Sequence, residues 1–240
     1  MSSRWTQGPP SQSRCAAPLR VPEEDDMPDA GMPDTDIRAA VTAERRAQVE
    51  LYASLSEQDW DSPSLCAGWR VREVLAHVTM PFRYSLPRIA WEMARARGSF
   101  DRMADRRARI DTRRLSTGQL WESLRDNVEH PWSPPGGGPL GALAHDVIHG
   151  LDVSTALGRD DAASPARVGL VLAGLRPKQV AFFGVDLDGV ELRADDLDWS
   201  YGRGEPVQGR AQDLLLLLCG RQVPAGRLSG PASTRFAPAV

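Results

Sequence analysis

Two histidines four residues apart, His145 and His149 in the segment AHDVIHG, are the residues of this chain best suited to do chemistry. On a helix that spacing stacks two imidazoles on one face about a turn apart, which is how helical zinc sites present paired nitrogen ligands. A third histidine, His77, lies among Val74, Leu75 and Val78. A helix carrying it can cross an antiparallel bundle to supply a third nitrogen. Three protein nitrogens leave one position of a tetrahedral ion open, as a catalytic site requires. The same residues have plainer readings: HxxxH also occurs among capping and surface histidines, and a histidine on an apolar face can belong to a core. The metal reading gains weight because three of only four histidines fall at helix-facing positions, while His130 sits at a helix end before Pro131.

Acidic neighbours could tune such a site. Asp152 follows His149 by three residues, close enough on a helix to orient a ligand imidazole, although a solvated helix face accounts for it equally well. Glu73 precedes His77 by one turn and could act as a base or support the ligand from behind. Near a helix start, a carboxylate is also simply favourable charge. Cys66, between Leu65 and Ala67, reads as a small buried hydrophobe and is not counted as a ligand. With Cys15 and Cys219 it makes an odd, widely spaced set without a CxxC pair, so neither a disulfide framework nor a cysteine-based zinc site is indicated. A cytoplasmic location is expected.

The elements that must hold these side chains can be read from periodicity. Residues 1–35 are rich in Pro, Ser, Asp and Glu and are expected to be a disordered tail, with Met27 and Met32 as alternative starts. Apolar residues from Ile37 to Leu55 recur at helical intervals and predict a first helix over roughly 36–56. A second helix begins at Val71, carries His77, and should be kinked or divided by Pro81 and Pro87. After the charged stretch DRMADRRARIDTRR, the spacing of Leu120, Leu124 and Val128 predicts a third helix ending before Pro131. The turn-rich PWSPPGGGPL leads into a fourth helix from about Leu140 to Leu157, with Pro139 in its first turn and Gly158 as its stop. The fold class expected is α plus α+β: a four-helix bundle over 36–160 and a small α+β domain over 161–240. In the latter, SPARVGLVLAGLRP reads as helix, AFFGVDL, GVELRADDLDWSYG and PVQG as strands, and AQDLLLLLCGR as a last buried helix. A polar Asp160–Pro165 segment marks the boundary.

Two segments resemble a known family. SLCAGWRVREVLAHV resembles the motif that opens the second helix in mycothiol-dependent maleylpyruvate isomerase-like proteins of the DinB superfamily, and HDVIHGLDV resembles its second signature. The tail VELRADDLDWSYGRGEPVQGRAQDLLLLLCGR is similar to the family's smaller C-terminal domain, so the likeness spans roughly residues 36–225. It implies a DinB-like bundle in which His77, His145 and His149 are the metal ligands. It also implies mycothiol, the low-molecular-weight thiol of actinobacteria, as cofactor or co-substrate, with zinc lowering the thiol pKa. Arg221, in the terminal Gly-Arg pair, becomes an anion anchor for a carboxylate substrate and is taken as catalytic. A surface arginine is its alternative reading. One departure is Arg70, where the family has Ser or Thr suited to capping the helix that Val71 begins.

The function implied is thiol-dependent isomerisation or thiol transfer on an electrophilic small molecule. Two other readings stand beside it: a metal-dependent hydrolase with Glu73 or Asp152 as base, and a non-catalytic regulatory protein whose zinc only pins the bundle. A net charge of −3 with 41% hydrophobic residues provides no basic footprint for nucleic acid. No apolar run is long enough to cross a bilayer, so no membrane association is expected. DinB-like bundles are often dimers, and a homodimer is the oligomer to look for.

Overall fold

The computed structural model describes residues 33–159 and 164–237. The expected tail, its alternative starts at Met27 and Met32, and most of the expected domain boundary lie outside the described residues. Helix α1 (Asp34–Ala53) is followed by the short α2 (Glu57–Asp61), then α3 (Val71–Val78), α4 (Met80–Arg83) and α5 (Leu86–Arg95). Prolines 81 and 87 divide this second helical region as expected, each in the first turn of the segment it opens. Helices α6 (Phe100–Arg114), α7 (Thr117–Arg125) and α8 (Gly138–Ser154) complete the bundle.

The charged stretch before the third expected helix is itself α6, which the apolar periodicity had not marked. Its buried face carries the small or flexible Met103, Ala104 and Ala108, and α6 packs closely against α3. The same face buries Arg107 and Asp111 as a charge pair one turn apart, and Arg109 pairs likewise with Asp105. Too little large apolar surface recurs there to give a hydrophobic signal.

The C-terminal part consists of α9 (Pro165–Ala173), α10 (Pro177–Phe183), a three-stranded sheet and α11 (Ala211–Leu218). Strands β1 (Val190–Ala194), β2 (Ser200–Gly202) and β3 (Glu205–Gly209) lie in the order β2-β1-β3. Leu192 faces Tyr201 across an antiparallel ladder and Val207 across a parallel one. The segment AFFGVDL, expected as strand, is helical up to Phe183. Pro177 in the first turn, the Gln179 side chain accepting from Arg176 N–H, and a left-handed Gly184 at its end define α10 over any extended reading.

Two apolar clusters hold the molecule together. One joins α1, α3, α6 and α7 through residues such as Tyr52, Trp69, Leu75 and Leu124. The other packs the far side of α8 (Leu143, Val147, Leu151) against α9, the sheet and α11. Val153 belongs to the first cluster, so α8 sits between the two and is buried nearly all round. That central position is why its histidines are removed from bulk water. In α11 all five consecutive leucines, Leu214–Leu218, are buried, each contributing about 2 kcal/mol of apolar transfer free energy. The helix ends in a left-handed Gly220, with Gly220 N–H donating to Leu217 and Arg221 N–H to Leu216. This turn sends Arg221 back toward α8.

Candidate metal centre

Helix α3 presents His77 from its last turn, and α8 presents His145 and His149 from one face. The structure brings these three together: one ring nitrogen of each lies within 4.8 Å of the others. His145 Nε2 is 3.3 Å from His77 Nε2. His77 and His149 are buried, while His145 keeps partial exposure beside the edge of Trp132. Trp69 lies against the His77 ring on another side, with centroids 5.2 Å apart.

Each α8 imidazole is held from behind by a carboxylate, and each carboxylate by an arginine. His145 Nδ1 is 2.8 Å from Asp146 Oδ1, and Asp146 Oδ2 accepts from Arg45 Nε at 2.7 Å. His149 Nδ1 is 3.0 Å from Asp152 Oδ2, and Arg221 donates to Asp152 through Nε at 2.8 Å and Nη2 at 3.0 Å. Both carboxyls stay ionised despite their burial. For Asp152, burial opposes ionisation, but the Arg221 charge and hydrogen bonds from His149 and Arg221 hold it well below the usual carboxylate range. For Asp146, burial is outweighed by the hydrogen bond and charge of His145 and by Arg45. An ionised carboxylate only accepts, so Nδ1 carries the hydrogen in both rings and Nε2 keeps its lone pair for a ligand. Burial pushes His149 down to about 4, against the raising effect of Asp152, and pushes His77 well below its ordinary value with help from the neighbouring histidines. Neutral imidazoles are what a metal ion needs.

The residues fit a divalent ion. Three nitrogen donors converge, two have oriented tautomers, and the buried His77 Nδ1 has no hydrogen-bond partner among the described residues, which leaves that ring uncommitted there. Cys66, His149 and Asp152 also have ligand atoms close together. That second group is a poor cation site, because the Arg221 guanidinium already bonds Asp152 and lies 3.6 Å from Cys66 Sγ. Cys66 is fully buried, as expected, and its thiol donates to Asp152 at 3.3 Å.

The other residues singled out in the sequence take these places. Glu73 closes the start of α3: it accepts from Arg70 N–H at 3.0 Å, from the Arg70 side chain and from Thr112 Oγ1 at 3.0 Å. That reciprocal contact replaces the hydroxyl cap that Arg70 cannot supply. Arg221 is buried, its guanidinium committed to Asp152, the Cys219 carbonyl and Cys66 rather than held open for a substrate carboxylate. Arg45 and Asp146 were not foreseen. Arg45 also donates to the His130 carbonyl at 2.6 Å, and Gln48 Nε2 donates to the Asp146 carbonyl at 2.6 Å. The only sequence signal for either is Asp146 standing next to His145.

Residues 41–131 match the family model of the mycothiol maleylpyruvate isomerase N-terminal domain. The matched stretch holds His77 but stops before His145 and His149, so it is narrower than the likeness over 36–225 that the motifs imply. Among solved structures, the mycothiol-dependent maleylpyruvate isomerase and a histidine-to-alanine variant of it each align with 86% of this chain and 95% of their own. Both do so at 14% identity and a TM-score of 0.45. No curated protein matches the chain. No helix among the described residues is long and apolar enough to cross a membrane.

Proposed function

We propose that this chain is a metal-dependent enzyme of the maleylpyruvate isomerase type, acting on an electrophilic small molecule with mycothiol as thiol co-substrate, the metal being zinc. The observation that carries the reading is the convergence of three imidazoles, two of them oriented by separate arginine-held carboxylates. A zinc ion held by His77, His145 and His149 would lower the pKa of a bound thiol so that thiolate is available at neutral pH. Asp146 and Asp152 fix the ring tautomers and keep both Nε2 atoms directed inward. Arg45 and Arg221 hold those carboxylates in place and keep them ionised. The partial exposure of His145 beside Trp132 marks the side from which a thiol and substrate enter.

The hydrolytic alternative loses its base. Glu73 is taken up by Arg70 and Thr112, and Asp152 is locked between Arg221 and His149, so neither carboxylate is free to take a proton from water. The test is metal content by plasma mass spectrometry together with thiol-dependent turnover of maleylpyruvate. About one zinc per chain, lost in His145→Ala and His149→Ala along with turnover, is the expected result. Metal-free protein from chelator-free purification would sink the reading.

A further inference from the structure

Away from the three histidines, a cleft of about 410 Å³ lies between the end of α5 and the start of α6, lined by Arg95, Arg97, Arg102 and Arg106 with Ala96 and Asp105. In a chain of net charge −3, four arginines lining one hollow are a local concentration, not a reflection of overall composition. Three of them, Arg95, Arg97 and Arg102, have no carboxylate partner among the described residues. Arg95 lies over the Trp91 ring, and Arg102 donates to the Ala96 carbonyl. Of the nearby acids, Asp105 accepts from Trp69 Nε1 and Arg109 Nε, each at 2.9 Å, and Glu92 is held by Arg106 and Arg107; Asp101 stands in the first turn of α6.

The backbone adds one feature. Arg97 has φ 54°, the only non-glycine among the described residues at positive φ, a conformation that costs a side-chain-bearing residue roughly 1 kcal/mol. Arg97 lies in the turn between α5 and α6 and lines the cleft. Helix α6 begins just beyond it, with Ser99 accepting from the Arg102 N–H.

We propose that this cleft binds a phosphate group carried by a small soluble molecule. One guanidinium satisfies a planar carboxylate, whereas several guanidiniums around a hollow suit a tetrahedral dianion with oxygens facing different ways. The site is separate from the histidine centre and does not depend on the function proposed for it. The two are nevertheless adjacent, since Asp105 on the cleft wall bonds the indole of Trp69, whose ring lies against that of His77.

The test is calorimetric titration of the full chain with inorganic phosphate and pyrophosphate at fixed ionic strength. Wild type is compared with Arg97→Gly, Arg95→Gln and the distant control Arg125→Gln. Glycine adopts positive φ freely, so Arg97→Gly removes the guanidinium while keeping the fold, as an unchanged or higher melting temperature will show. The expected result is saturable binding, tighter for pyrophosphate, weakened roughly tenfold by Arg97→Gly and by Arg95→Gln and unchanged in the control. A second arm measures sedimentation with vesicles of phosphatidylcholine alone or mixed with phosphatidylglycerol, because Leu86 and Trp91 stand exposed on α5 nearby. Binding to the mixed vesicles alone, with no heat from soluble phosphate, would overturn a soluble ligand in favour of a lipid headgroup. Absence of saturable binding in both arms, or equal affinity in all variants, would overturn the site itself.

Discussion

Replacing Asp152 by Asn tests the arginine–carboxylate–histidine arrangement most directly, because it changes charge with almost no change in volume. The Asp152 and Arg221 side chains are 0% and 2% exposed. The carboxylate accepts from Arg221 twice, from His149 and from Cys66. An amide keeps one acceptor and turns two donors toward groups that are themselves donors, leaving a buried guanidinium without its counter-charge. Removing one partner of a buried pair costs about 3–5 kcal/mol, whereas replacing both by apolar residues of similar size is often close to neutral. Against a total stability of about 5–15 kcal/mol the variant should still fold. In chelator-treated protein, Asp152→Asn is therefore expected to lower the guanidinium chloride midpoint by roughly 1 M, taking an m-value near 4 kcal/mol/M. The double variant Asp152→Leu/Arg221→Met should recover most of the loss, so that a cycle with the single variants Asp152→Leu and Arg221→Met is strongly non-additive, the double costing far less than the sum of the singles. A midpoint within roughly 0.2 M of wild type for Asp152→Asn, or simple additivity in the double variant, would refute the claim that this pair is a desolvated, charge-compensated unit.

Further outcomes follow from the same geometry. Asp146→Asn should weaken zinc binding about 10- to 100-fold, measured by competition with a chromogenic chelator, while wild-type affinity would show that Asp146 does not orient His145. His149 has a folded pKa of about 4 against about 6.5 in an unfolded chain, so the native state binds fewer protons between those values. Its contribution to stability is full above pH 6.5 and is lost as pH falls toward 4, amounting to about 3 kcal/mol in metal-free protein. Urea midpoints at pH 7 and pH 5 should diverge in wild type and converge in His149→Leu; equal divergence in both would rule out this origin. Gly204 has φ 139°, and a Cβ there would lie 2.0 Å from the Gly189 carbonyl oxygen. Gly204→Ala should cost about 2–4 kcal/mol, read as a lowered melting temperature, and an unchanged value would contradict the close approach of the two backbones.

What the sequence disclosed depended on whether the signal was local. The spacing of His145 and His149 and the apolar setting of His77 are properties of single helices, and their meeting needs only an antiparallel bundle. Arg45 was illegible because its partner is 101 positions away and nothing in AERRAQ separates the arginine that turns inward from the one beside it. Arg221 stood out by position, yet only the turn after α11 shows that it faces Asp152. Helix α6 escaped notice because alanines and arginine stems cover its buried face, and α10 was misread because two adjacent phenylalanines suggest a strand when the glycine after them is ignored. Glu73 was legible in its humbler role, as charge at a helix start.

The place of Arg221 downstream of all three histidines gives the centre an order of assembly. Synthesis at about 5–20 residues per second delivers all three imidazoles, Asp146 and Arg45 seconds before Arg221 emerges. Through that interval Asp152 has no guanidinium to offset its burial, and the His149 ring it should steady is loosely held. The last leucines of α11 then close the sandwich on α8 and bring in the missing charge together. A chain cut between Asp152 and Arg221 would keep all three histidines and lose the guanidinium that steadies Asp152 behind His149.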